Sequence, residues 1–181
     1  MAQHFELRSP PHDTVFYITS SLPINCPPSH AYHVLRDYST WPEWNSFCPK
    51  VDVKSDKQSK LLVPGMKLTL HVKMDPKSPA LRAQTEEVTE ASDENAEGVL
   101  RVSWSQGTMP QFLLRSLRVN ELHPGNDPQS CEYRTWITMA GPTAYIVKKM
   151  FESTLQARFD DWSVDLKRYA EETWQKQGGS N

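Results

Sequence analysis

The C-terminal stretch sets the terms for everything before it. From Gly141-Pro142 to about Trp174 the sequence has a helical period and no internal proline or glycine. Phe151, Leu155, Phe159, Trp162, Leu166 and Tyr169 recur at i, i+4, i+8, i+11, i+15 and i+18, one continuous apolar stripe. A helix with such a stripe has to lay it against a second layer of structure.

The rest of the chain supplies that layer. Residues 14–24, TVFYITSSLPI, are rich in β-branched and aromatic side chains and read as a strand. Pro27, Pro28 and Ser29 end it and open a short helix, with Ala31, Val34, Leu35 and Tyr38 on one face. Pro42 breaks that helix into a knot of aromatics, Tyr38, Trp41, Trp44 and Phe47, which allows at most a second short helical turn. The period then changes to two. Val51 and Val53 mark a short strand before the loop at 55–60. Met66, Leu68, Leu70, Val72 and Met74 alternate with polar residues in the next strand. Further strands are expected at 83–91, 99–105, 112–122 and 131–139, with an acidic turn at 92–98 and the turn-rich HPGNDPQS between the last two. Strand following strand at short spacing predicts an antiparallel meander. Residues 1–13 are expected to be a flexible leader, 14–175 a single α+β domain and 176–181 a disordered tail.

Composition narrows the function classes. A net charge of -2 gives no electrostatic footprint for nucleic acid or an anionic surface. The first thirteen residues contain no apolar signal core, and no segment has the length to insert in a membrane. Cys26, Cys48 and Cys131 are widely spaced and odd in number, which argues against a disulfide framework and points to a reducing, cytoplasmic setting. His30 and His33 have ligand spacing on a helix, but no motif brings them a partner, so no metal is expected. There is no phosphate-binding glycine loop and no nucleophile elbow. Aromatics gathered at a broken helix suit the wall of a pocket, because they offer large apolar area with few rotamers to freeze.

Four segments resemble the START-like, or SRPBCC, superfamily, and within it the polyketide cyclase/dehydrase group. They are AYHVLRDYSTWPEWNSFCPKV at 31–51, LLVPGMKLTLHV at 61–72, VLRVSWSQG at 99–107, and ITMAGPTAYIVKKMFESTLQARFDDWSVDLKRYAE at 137–171. The resemblance implies a helix-grip fold: a curved antiparallel sheet of about seven strands wrapped around the long C-terminal helix, with two short helices after the first strand, enclosing a cavity. It also implies a hydrophobic, oxygenated small molecule, polyketide or lipid-like, as partner. Relatives often carry a histidine two residues before a phenylalanine in the sixth strand, where this chain reads Arg115-Ser116-Leu117.

Alternation nominates the polar residues that face the cavity. If Leu117 and Val119 point inward in the sixth strand, Arg115 does too. Val88 brings Glu86, Gln84 and Arg82 with it, and Ile137 and Met139 bring Thr135 and Tyr133. The candidate catalytic set is therefore Arg115 to stabilise an enolate or carboxylate oxygen, Glu86 to move a proton, and Tyr133 or Asn45 to orient a carbonyl. Trp44 and Asn45 are placed at the mouth, with Leu70, Trp104, Leu117, Thr135, Phe151, Leu155 and Phe159 lining the cavity. Met150 joins the last three as floor, and Asp37 is read as a structural hydrogen-bond partner. The leading expectation is polyketide ring closure without a cofactor. A non-catalytic carrier or sensor of lipids or hydrophobic metabolites is the alternative. A third reading is a structural or chaperone-associated module docking through the outer face at His71, Arg134 and Trp136. Exposure of Trp136 there would also invite a homodimer.

Overall fold

The computed structural model describes residues 1–7, 10–53, 59–92 and 98–178. Most of the loop at 55–60, most of the acidic turn at 92–98 and the last three residues of the tail lie outside them. The elements are β1 (Thr14–Ile24), α1 (Pro28–Arg36), a 3-10 turn (Tyr38–Thr40), α2 (Trp41–Trp44), β2 (Lys50–Val53), β3 (Lys67–Val72), β4 (Arg82–Ser92), β5 (Leu100–Gln106), β6 (Arg115–Pro124), β7 (Cys131–Ala140) and α3 (Pro142–Lys176). The strands form one seven-stranded antiparallel sheet in the order β1-β7-β6-β5-β4-β3-β2. This is a helix-grip fold: the concave face of the sheet closes around α3, and α1 and α2 plug one end.

The stripe on α3 is the seam of the core. Leu155, Phe159, Trp162 and Leu166 are buried, and Trp162 is fully so. Its ring meets those of Trp41 at 4.9 Å, Trp44 at 5.6 Å and Trp104 at 6.1 Å, tying α3 to α2 and β5. The first two contacts are edge-to-face, the arrangement that aromatic quadrupoles favour. Trp41 also donates its indole N–H to the Leu35 carbonyl, so the proline-broken helix is locked from both sides. Asp37 accepts from the Ser39 backbone amide and hydroxyl at that break, the structural role expected of it. His30 bonds the Ala170 carbonyl and Thr173 hydroxyl of α3, and Cys26, Cys48 and Cys131 are free and buried.

Two expectations change. The first seven residues lie along β1: Gln3 pairs with Ser21, the Phe5 amide and carbonyl both bond the Thr19 hydroxyl, and the Phe5 ring stacks edge-on against Trp136. Trp136, on the outer face, is thus half-covered by Phe5 and by the Arg101 guanidinium 5.7 Å from its ring. β6 starts at Arg115 and not at residue 112, because Leu113 and Leu114 turn back to hydrogen-bond the Pro110 carbonyl. Phe112 is left exposed.

The chain leaves β7 for α3 through Gly141 at φ +93°, where a Cβ would sit 2.6 Å from the Leu113 carbonyl oxygen. That close approach brings the 107–114 loop beside the start of α3, and Thr143 donates to the same carbonyl. Trp162→Ala is expected to cost about 3–5 kcal/mol in urea denaturation; a loss below about 1 kcal/mol would refute its place at the centre of the core.

Candidate active site

Between the sheet and α3 lies a cavity of about 310 Å³. Its apolar walls come from Phe47, Leu70, Trp104, Leu155 and Phe159 among others, and its polar wall from Glu86, Gln84, Ser116 and Arg118. Each polar group is placed by strand parity. Ile137 and Met139 face inward on β7 and pair with Arg118 and Ser116 on β6, so those two residues of β6 line the cavity.

This corrects the sequence-based parity of β6. Arg115 and Leu117 sit on the opposite face; Arg115 is exposed, ion-paired with Asp13 and donating to the Gln111 carbonyl. Leu117 is 36% exposed, whereas Arg118 is only 5% exposed. The error has a physical cause. The outer face of β6 is itself partly covered, with Val119 buried beside Trp136, so apolar residues mark both faces of the strand.

Arg118 is the polar centre of the site. Its guanidinium carbon lies 4.1 Å from the Trp162 ring, 4.2 Å from Phe159 and 5.4 Å from Trp104. These cation–π contacts offset part of the cost of burying the charge. Burial still lowers the Arg118 pKa, opposed chiefly by the neighbouring Tyr133 hydroxyl. An arginine stays protonated through such a shift. Tyr133 is fully buried behind the cavity and does not line it. Its hydroxyl donates to Asn120 Oδ1 at 2.7 Å, and Thr135 Oγ1 lies 3.0 Å from that oxygen and from the Val119 carbonyl. Tyr133 therefore backs Arg118, whereas Thr135, expected to line the cavity, is buried outside the lining and bonded to Asn120 and the Val119 carbonyl.

Glu86 faces the same space from β4, on the side shared by Arg82, Gln84 and Val88. It is 8% exposed, and burial pushes its carboxyl up to about 8, with the Arg118 charge opposing. At neutral pH the side chain carries its proton. Cys48 also lines the cavity, and burial drives its thiol up to about 12, so it is not a thiolate at neutral pH.

Leu70, Trp104, Phe151, Leu155 and Phe159 all line the cavity. Trp44, expected at the mouth, is buried against Trp41, Trp162 and Tyr169 outside the lining. Asn45 is also buried outside it, accepting from the Cys48 amide at 2.7 Å. Met150, expected in the floor, is 63% exposed, because it lies one residue off the stripe. Arg118, Gln106 and Cys48 were not anticipated as site residues. Gln106 pins the loop at 107–114 that lines the cavity: its amide donates to the Met109 and Leu114 carbonyls and accepts from the Thr108 and Met109 amides. Only the register that pairs Arg118 with Ile137 identifies the arginine, and alternation within β6 does not give that register.

Known proteins resemble this chain in sequence and in fold. The family described as polyketide cyclase / dehydrase and lipid transport matches residues 16–171. The chain belongs to that family. A relative from Penicillium oxalicum, oxopyrrolidines biosynthesis cluster protein O, is 30% identical over 168 residues, covering 80% of this chain and 83% of the relative. Among solved structures, a hypothetical protein of Helicobacter pylori superposes with a TM-score of 0.72 at 15% identity, covering 94% of this chain and 99% of that one. The Zhui aromatase/cyclase from Streptomyces sp. R1128 gives 0.68 at 13% identity, covering 91% and 99%. Both share the helix-grip fold. Among the described residues no helix is long and apolar enough to cross a membrane.

The parity of β6 has a direct test. Ser116→Trp is expected to fill the cavity and abolish uptake of a fluorescent apolar probe, whereas Leu117→Trp leaves uptake intact. The reverse pattern would contradict the assignment.

Proposed function

We propose that this protein closes rings on a polyketide-type substrate in secondary metabolism, using cavity side chains alone. The observation that carries the reading is a buried carboxyl that holds its proton facing the same largely apolar cavity as a buried guanidinium. Ring closure of a poly-β-ketone asks for two things: stabilisation of an enolate oxygen, and a proton for the carbonyl oxygen that is attacked. Arg118 takes the first role, in place of Arg115. Glu86 takes the second. The substrate enters as the enolate of its acidic 1,3-dicarbonyl, its α-proton left with solvent. The enolate carbon forms the new C–C bond as the attacked C=O π bond opens, that carbonyl oxygen takes the Glu86 proton, and solvent returns a proton to Glu86. Tyr133 acts as a positioning residue through Arg118. Family membership and the biosynthesis-cluster relative support a role in secondary metabolism. Three free buried thiols suit action in the cytoplasm.

The family description also includes lipid transport, and the largely apolar wall would serve a carrier or sensor. The two readings separate on turnover. Purified protein is expected to accelerate ring closure of a reactive poly-β-ketone, and Glu86→Gln to lose about 10²–10⁴-fold of that rate while still binding. Because the reaction needs Glu86 protonated, the rate should be full at neutral pH and fall as pH rises through about 8. Binding without any acceleration would leave the carrier reading and remove the enzymatic one.

A further inference from the structure

Arg118 is buried with two of its donors unsatisfied. Nε and Nη2 have no hydrogen-bond partner, and the side chain lines the cavity. These two nitrogens are not an arbitrary pair. In a planar guanidinium Nε–H and one Nη–H point the same way from one edge, the fork that engages two oxygens of a carboxylate side by side. Tyr133, the Arg118 partner on the protein side, leaves this edge free. Among the described residues no carboxylate forms an ion pair with Arg118. A buried cation with an unpaired two-pronged edge, facing an otherwise largely apolar cavity, suits a group of matching charge and shape.

We propose that the cavity selects ligands that enter as anions, with a negative charge shared over two neighbouring oxygens that the Nε/Nη2 edge of Arg118 grips together. A carboxylate and the enolate of a 1,3-dicarbonyl both meet that description. The rest of the ligand lies against Trp104, Leu155 and Phe159 and runs toward the mouth at Phe151 and Met109. This inference rests on the cavity being the ligand site, but it does not need turnover. A carrier of acidic metabolites satisfies it as well as a cyclase does.

Calorimetric binding of matched probes tests it. The acids are octanoate and the enolate of an octanoyl-substituted cyclic diketone; their neutral counterparts are the methyl ester and the methyl enol ether. The wild-type protein should prefer at least one acid over its neutral counterpart by about tenfold or more. The acid with the larger preference identifies the head group. Arg118→Met should bring that preference to within about twofold, Arg118→Lys should lose most of it despite keeping the charge, and Arg115→Met on the outer face should keep it whole. Equal binding of acids and neutral probes by the wild type would overturn the proposal. Full preference retained in Arg118→Lys would overturn the two-pronged grip. If the Arg118 variants do not fold, the wild type still decides: the Arg118 Nε–H resonance should move on adding the preferred acid and stay in place with its neutral counterpart. Absence of that selective shift would count against the proposal. Failure of the ring-closure assay with a retained acid preference would remove the enzyme reading and leave this one standing.

Discussion

Trp162 is the point on which the fold turns. It sits where α3, α2 and the sheet converge, with Trp41, Trp44 and Trp104 around it and the Arg118 guanidinium 4.1 Å from its ring. Aromatic rings suit such a junction because each buries a large area through two torsions. The same ring that closes the core therefore also forms the wall against which a charge is held. Core and site are not separate regions here, and the cavity is the part of the core left open between Trp104, Phe159 and β4.

That arrangement carries an energetic burden which is informative about function. Arg118 and Glu86 face one cavity, yet they form no direct ion pair, so neither charge is well compensated. Glu86 responds by keeping its proton. Its folded-state pKa is raised, so its contribution is fully present below about 4.5 and is lost progressively as pH rises through about 8. The unfolded chain gives up that proton earlier, and stability falls across the window. A core evolved for stability alone would favour apolar side chains at both positions. Retaining a poised acid beside an open cation has a clear use in chemistry on oxygenated substrates.

Much of the architecture is legible in the sequence because periodicity reports burial on one face. The α3 stripe, the alternation in β3 and the proline-broken aromatic knot each map onto an observed element. The site is legible only where one face of a strand is clearly the inner one. In β4, Val88 places Glu86 in the cavity; in β7, Ile137 and Met139 reach it, but Tyr133 and Thr135 on the same side are buried behind it and outside its lining. In β6 the rule fails. Leu117 and Val119 are apolar because the outer face beside Trp136 and Phe5 is itself sheltered, and a one-residue error exchanges Arg115 for Arg118. A leader that lies back on the sheet is a tertiary event with no periodic signature. Trp44 and Asn45 show a second limit: aromatic and polar residues at a helix break signal burial, but not whether they border a cavity or pack behind it.

The central claim is that Glu86 faces a largely apolar cavity shared with the buried Arg118 guanidinium. Carbon-detected NMR titration of the Glu86 side-chain carboxyl in the intact protein reads this directly. The account predicts a midpoint of about 8, with the proton held throughout the neutral range. A midpoint near the ordinary 4.5 would mean that Glu86 is solvated or paired, and the proposed site would not exist as described.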